Sequence, residues 1–274
     1  MRPVRSTARA AFMTSLAIAL LTACAASPQL PLNDGTAQSE LRVVTSGGFT
    51  AAYNVLAPAF ERETGVRLVT EYGASSGGAP DSIPVRLARG EQFDVIILSQ
   101  SSLNALTREG YVRADSRRDL VRSSIGMAIR DGAAAPDIST PERFRQVLLD
   151  ATSIGYSASA SGTYLSTDLF PRLGLWERIS AKATRVVSER VATVVARGDV
   201  EIGFQQISEI LPIEGAQFVG PIPDEYQKVT TFSAGITARA DNPSDAERLI
   251  RFVSSAAVAD TVAATGLEPV VNEQ

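Results

Sequence analysis

Leu41–Gly65 reads LRVVTSGGFTAAYNVLAPAFERETG, and this stretch decides the fold. Leu41-Arg42-Val43-Val44 is a short apolar run of the kind that forms a buried strand. Thr45-Ser46-Gly47-Gly48 is a small polar turn. Phe49, Ala52, Tyr53, Leu56 and Phe60 then recur at helical spacing. A strand that feeds a helix through a Ser/Gly turn directs free N–H groups and hydroxyls to one spot. The positive end of the helix dipole lies at the same spot, so it attracts anions.

Strand–turn–helix units of this kind recur along the chain. Val66 to Tyr72 alternates and is rich in β-branched residues, and it runs into Gly73-Ala74-Ser75-Ser76-Gly77-Gly78. Pro80 and Pro84 restrict the next segment, through Arg89, to short helical pieces. Phe93 to Ser99 is nearly all apolar, as a strand covered on both faces must be, and ends in Ser99-Gln100-Ser101-Ser102. Ser123 to Arg130 is a further strand. Ser139-Thr140-Pro141-Glu142 starts a helix with Ser139 at the N-cap and Glu142 completing a capping box. Ser153 to Tyr156 opens into the hydroxyl-rich segment Ser157 to Thr163, followed by a helix carrying Tyr164, Leu165, Leu169 and Leu173. Strand 182–187, helix 189–197 and strand 201–205 come next, then a β-type stretch over 228–239 and helices over 244–255 and 258–265. Alternation of strand and helix predicts an α/β fold of mostly parallel sheets, with a ligand site beyond the carboxyl ends of the strands.

Composition narrows the chemistry. The chain has 274 residues and no histidine, which removes Ser-His-Asp triads and His-ligated metals; no cofactor or metal is expected. Arg2, Arg5 and Arg9 followed by the apolar Ala10 to Thr22 form a signal peptide, too short for a permanent membrane span. Leu21-Thr22-Ala23-Cys24 resembles the lipobox of bacterial lipoproteins, with the single cysteine, Cys24, as the acylated residue. Cleavage at Ala23-Cys24-Ala25 on an A-x-A pattern is the alternative. Residues 25–40 are a tether rich in Pro, Ser, Gly and Asn. Without residues 1–24 the chain keeps 23 basic against 30 acidic residues, a net charge of −7. It has no general attraction for nucleic acid, and its contact with a membrane would run through the lipid anchor.

With these residues in hand, the chain resembles the type II periplasmic solute-binding proteins of the molybdate-binding branch. The resemblance rests on VVTSGGFTAAYNVLAPAFERETGVRL, the Ser75-Ser76-Gly77 turn, RLARGEQFDVIILS, SGTYLSTDLFPRLGL and RGDVEIGFQQISEIL, and spans about Leu41 to Val270. It implies two α/β lobes joined by two hinge crossings: residues 41–122 with 231–274, and residues 123–230. It also implies a monomer that holds a small anion between its lobes and hands it to an ABC permease. By position, the ligand groups would be Thr45, Ser46, Gly47, Ser75, Ser76, Ser99, Ser161, Gly162 and Thr163, with Gln205 and Gln206 approaching from the second lobe.

Two departures point away from molybdate. An additional segment, Ala79 to Pro84, rebuilds one wall of the cleft and brings Arg86 and Arg89 near it, where they would suit a planar carboxylate. The Ser-Gly-Gly-Phe-Thr-Ala-Ala-Tyr start is also similar to that of bacterial aconitate isomerase, an enzyme on the same scaffold. That resemblance implies a proton shuttle, for which Glu209, Tyr164 and Glu71 are the candidates by strand-end position. Periplasmic capture of an oxyanion or carboxylate, isomerisation of a tricarboxylate, and a sensory lipoprotein therefore remain open readings.

Overall fold

The computed structural model describes residues 39–270. The signal peptide, the lipobox cysteine Cys24 and the tether before Ser39 lie outside the described residues. Among the described residues eleven strands run β1 Glu40–Ser46, β2 Arg67–Gly73, β3 Val95–Ser99, β4 Arg118–Ser123, β5 Ile125–Arg130, β6 Ile154–Ser157, β7 Ala183–Val186, β8 Ile202–Gln206, β9 Ala216–Pro221, β10 Thr230–Ile236 and β11 Glu268–Pro269. The α-helices among the described residues are α1 Gly47–Thr64, α2 Ile83–Ala88, α3 Gln100–Arg108, α4 Pro141–Asp150, α5 Ala160–Tyr164, α6 Phe170–Arg172, α7 Trp176–Ile179, α8 Val191–Arg197, α9 Ile207–Ile210, α10 Pro243–Val253 and α11 Ala259–Ala263.

The strands form two sheets, ordered β11-β4-β10-β3-β1-β2 and β7-β6-β8-β5-β9. The expected two-lobed α/β architecture is present, with mixed rather than mostly parallel sheets. In the first sheet β1 runs parallel to β2 and β3, while β10 is antiparallel to β3 and β4. In the second, β6 is parallel to β7 and β8, and β5 is antiparallel to β8 and β9. The chain passes from the first sheet to the second between Ser123 and Ile125 and returns between Pro221 and Thr230. At these crossings the buried Gln206 amide reaches Thr230 Oγ1 at 3.2 Å, and with its amide turned to suit its neighbours it donates to Ser123 Oγ at 2.7 Å.

Both faces of each sheet are covered, as the apolar strands require. Val43, Ile97 and Phe232 pack with Phe49, Tyr53 and Phe60 of α1 and Leu249 of α10. On the opposite face Val44, Ile96 and Leu98 meet Ile83 of α2 and Leu103 of α3. In the second sheet Phe144, Phe170 and Phe204 form one core, and Val191, Val195 and Ile210 the other. α1 ends at Gly65, whose φ of 72° is left-handed and whose N–H closes on Glu61 O at 2.9 Å.

Local differences from the sequence reading have local causes. The cap of α4 is Thr140 rather than Ser139: its side chain accepts from Arg143 N, with Pro141 in the first turn. The segment after Thr163 is helical but broadens into a π-type turn over Leu165–Leu169, where the Ser166 and Thr167 hydroxyls bond to backbone carbonyls one turn back. β4 and β9 each carry only a short apolar pair, Leu120-Val121 and Phe218-Val219, between polar or Gly/Pro residues, and so have no clear period. No helix among the described residues is long and apolar enough to cross a membrane.

Candidate functional site

The C-terminal ends of β1, β2, β6, β7 and β8 face one cavity of about 430 Å³ between the sheets. That is room for a small ligand. The first sheet contributes Gly47, Gly48, Thr50 and Asn54 of α1, and Tyr72, Gly73, Ala74, Ser75 and Asp81 from the end of β2 and the loop after it. The second contributes Ser157 to Ser161, then Ser188, Glu189 and Arg190 ahead of α8, and Gln205, Gln206 and Glu209.

At the start of α1, Ser46 is 1% exposed and extended, and makes no side-chain cap. Its Oγ is the only buried side-chain N or O atom among the described residues without a hydrogen-bond partner. No acid lies in the first turn of this 18-residue helix. Buried hydroxyls are ordinarily paired, so an orphan beside free helix N–H groups marks a place where a ligand oxygen fits.

Glu209 comes to the same place from the other sheet. The Gln206 backbone and the Gln205 side chain hydrogen-bond its carboxyl, and Arg190 attracts it. Its backward reach to Gln206, the N-cap of α9, is a capping-box geometry. The carboxyl lies so close to Gly47 that a side chain there would collide with it. Beside it, Ser208 Oγ donates to Gly48 O at 2.8 Å and ties α9 to α1. The residue is half-buried and the dense surroundings desolvate the carboxyl. That burial outweighs the three stabilising partners and pushes the pKa up to about 7.

The mouth is joined by Ser188, whose Oγ donates to Asp81 Oδ1 at 2.9 Å. Ser188 holds a left-handed backbone with φ 61°, alone in this among the described non-glycine residues.

Of the residues singled out by sequence, the cavity gathers Gly47, Ser75, Ser161, Gln205, Gln206 and Glu209 in its lining. Ser46 is not in the lining itself; it is the N-cap residue next to Gly47, with its hydroxyl free. The others take different places. The Thr45 hydroxyl donates to Ser46 O at 3.4 Å. Ser99 supports Ser75 from below, its N–H donating to Ser75 Oγ at 3.0 Å and its own hydroxyl to Ser102 Oγ at 3.0 Å. Ser76 is half-buried and off the cavity wall. Gly162 N donates to Ser157 Oγ at 3.3 Å, and Thr163 is exposed.

Arg86 and Arg89 do not reach the cleft. Arg86 Nε donates to Glu91 at 2.7 Å, its Nη2 bonds Glu71, and its guanidinium lies 4.9 Å from the Phe93 ring centre. Arg89 Nη2 donates to Glu91 at 2.6 Å. Two nearby carboxylates and an aromatic face satisfy these cations before any ligand does. Glu71 is thereby an ion-pair partner rather than a shuttle, and Arg86 holds its pKa below the ordinary range. Tyr164 is spent in the second core: its OH donates to Tyr226 O at 3.0 Å, and burial raises its pKa.

Arg190, Ser188, Tyr72 and Asn54 join the lining without having been read as site residues, while Asp81 comes from the segment 79–84 expected to rebuild a wall. A signal for the first two was present, because the turn after β7 is another strand end feeding a helix. It carries Ser188 together with the charged Glu189 and Arg190 in place of a run of Ser and Gly.

The profile of the family described as "Bacterial extracellular solute-binding protein" matches residues 41–268. An aconitate isomerase of a Pseudomonas species is 42% identical over 240 residues, covering 88% of this chain and 92% of that protein. The molybdate-binding protein ModA of Azotobacter vinelandii is 24% identical over 239 residues, 83% of this chain and 89% of that one. Among solved structures, the periplasmic molybdate-binding protein of Azotobacter vinelandii superposes with a TM-score of 0.67 at 20% identity, covering 85% of this chain and 100% of that one. The sulfate-binding protein SubI of Mycobacterium tuberculosis gives 0.69 at 17% identity, covering 85% and 87%. At such identities these structures speak for the fold alone.

Proposed function

The chain belongs to the bacterial extracellular solute-binding proteins, and from that premise we propose that it is an aconitate isomerase, which uses the interlobe cleft to interconvert trans- and cis-aconitate. The observation that carries this reading is Glu209, a carboxyl set against the start of α1 with its pKa pushed up to about 7. A site that only holds oxyanions is weakened by an acid at its anion-attracting end. A proton shuttle needs one, with a pKa near the working pH.

In the proposed reaction the Glu209 carboxylate takes a proton from the substrate's CH₂ group, and the electron pair spreads over the allylic system and its carboxylates. The protonated Glu209 returns the same proton to the far allylic carbon, and the double bond moves by one position. Nothing else is gained or lost. The α1 N–H groups and the Ser46 hydroxyl would hold the charge that develops. The 42% identity to the Pseudomonas aconitate isomerase supports the reading from an independent side. Incubation with trans-aconitate, followed by proton NMR of the cis isomer, tests it. No turnover at high protein concentration would retire it.

A second reading, capture of a small anion for an ABC permease by a monomer without chemistry, is favoured by the orphaned Ser46 hydroxyl, which suits any oxyanion. Calorimetry with molybdate, tungstate and sulfate checks it. In either case we place the protein in the periplasm or cell envelope, anchored through a lipid on Cys24, which mass spectrometry of the mature N-terminus would read directly. The lobes, residues 41–122 with 231–274 against 123–230, would close by rotation about the two crossings.

A further inference from the structure

We infer that Arg190 is the specificity-determining residue of the cleft, its guanidinium binding a substrate carboxylate beside the reacting carbon and so selecting polycarboxylates over compact oxyanions. The inference rests on the polycarboxylate reading above and assigns a residue that neither the Ser/Gly turns nor the Arg86–Arg89 pair supplied.

Among the described residues Arg190 is the only lysine or arginine in the cavity lining. The other arginines of its loop and helix are committed: Arg185 donates to Ala158 O at 3.4 Å, and Arg197 pairs with Glu189 and Asp199 at 2.8 Å each. The Arg190 guanidinium makes no ion pair or hydrogen bond with any described residue. Its charge attracts the Glu209 carboxyl.

Its backbone, by contrast, is pinned. The Arg190 carbonyl accepts from Thr193 N at 3.1 Å and Val194 N at 3.4 Å. Two residues ahead, Ser188 is held across the mouth by Asp81; two residues on, Ala192 N donates to Gln205 Oε1 at 3.4 Å. Gln205 also bonds the Glu209 carboxyl, so one amide links the start of α8, where Arg190 is rooted, to the shuttle. A fixed root with an unspent guanidinium is pre-organised for a ligand.

Charge accounts for the selectivity. The other acids of the lining are engaged: Asp81 accepts from Ser188, and Glu189 pairs with Arg197. A tetrahedral oxyanion is satisfied by hydroxyls and N–H groups and gains nothing from a fork. A planar carboxylate accepts two parallel bonds from a guanidinium, and the cation also offsets its repulsion from an ionised Glu209.

The test uses tricarballylate, a saturated tricarboxylate with no allylic proton to move, so binding is read apart from turnover. Calorimetry compares it with glutarate, which lacks the central carboxylate, on the whole mature chain. Arg190→Gln is expected to weaken tricarballylate by roughly tenfold or more and to narrow its advantage over glutarate. Arg190→Lys, which keeps the charge without the fork, should recover part of that loss, as a folding defect would not. If Arg190→Gln does not fold, Arg190→Lys carries the comparison. Unchanged affinity in the folded variant, or no binding of tricarballylate by the unaltered protein, overturns the assignment. Arg190-dependent binding with no turnover of trans-aconitate would retire the isomerase reading and leave the role of Arg190 standing.

Discussion

The carboxylate of Glu209 occupies the space that a side chain on Gly47 would need, so an acid from one sheet and the first residue of a helix on the other meet without a gap. Gly47 is not held in a left-handed conformation. Its small size is required by Glu209. Gly47→Ala should therefore displace the carboxylate while leaving α1 intact, since alanine favours a helix. Turnover of trans-aconitate is expected to fall about 10²-fold, as for a misplaced reacting group, with the melting temperature shifted by only about 3 °C. The neighbouring Gly48→Ala is the contrast, because its Cβ would strike the Phe232 ring in the core. There the loss of stability should come first.

Glu209 sets the expected pH dependence. Its ionised form is the base, so kcat/KM should rise with pH through a limb near 7 and then level. Glu209→Gln should remove the limb together with the activity while leaving ligand binding in place. The sign for stability is opposite to that of a salt-bridged acid. A carboxyl raised from 4.5 to about 7 in the folded state favours folding where it is protonated, and that contribution is lost as pH climbs from about 4.5 through 7. Denaturation midpoints of the unaltered protein should decline across that window relative to Glu209→Gln. A flat difference between the two would contradict the burial argument.

Arg86 should matter for stability and not for turnover. It joins Glu71 and Glu91, whose pKa values it lowers, and it stacks near Phe93. Arg86→Ala takes away the cation that Glu71 and Glu91 share, leaving Glu71 only Arg42 at 3.3 Å and Glu91 only Arg89 at 2.6 Å, and is expected to cost about 1–3 kcal/mol in urea denaturation. Stability supplied by such depressed acids is present above their ordinary pKa and lost as pH falls through the folded values, so the variant should lose less on acidification. The kinetic constants for trans-aconitate should stay within about twofold, since the nearest role for Arg86 is structural. A large rise in KM would return Arg86 to the ligand.

What could be read from the sequence was local or followed from a topological rule. The β1–α1 unit is legible because its apolar run, Ser/Gly turn and helical spacing are contiguous. The gathering of Ser75, Ser161, Gln205 and Glu209 follows from the rule that strand ends converge in α/β sheets. The fate of Arg86 was not legible: its partners Glu71 and Glu91 flank it on separate elements, and only packing shows that they leave nothing for a ligand. The same holds for Arg190, whose neighbour in sequence, Glu189, pairs with Arg197 instead. For Glu209, position could be read but acidity could not, because the desolvation that raises its pKa comes from burial between segments far apart in the chain, α1 among them.

The latch at the cleft mouth separates two contributions that usually travel together. Ser188 holds φ 61°, a conformation that costs a non-glycine residue about 1–2 kcal/mol, and its hydroxyl bonds Asp81 across the mouth. Ser188→Ala removes the bond and keeps the strain. Ser188→Gly removes both. The alanine variant should be the less stable of the two by roughly 1 kcal/mol. Both should release ligand faster than the unaltered protein, because the bond between the jaws is gone in each. Asp81→Asn, which keeps an acceptor oxygen, should release ligand at close to the original rate, and Asp81→Ala should match the Ser188 variants. Stopped-flow dissociation of tricarballylate alongside urea denaturation gives both readings on one set of proteins. If release rates followed the stability order instead of the presence of the Ser188–Asp81 bond, the contact would be a packing detail and not a latch.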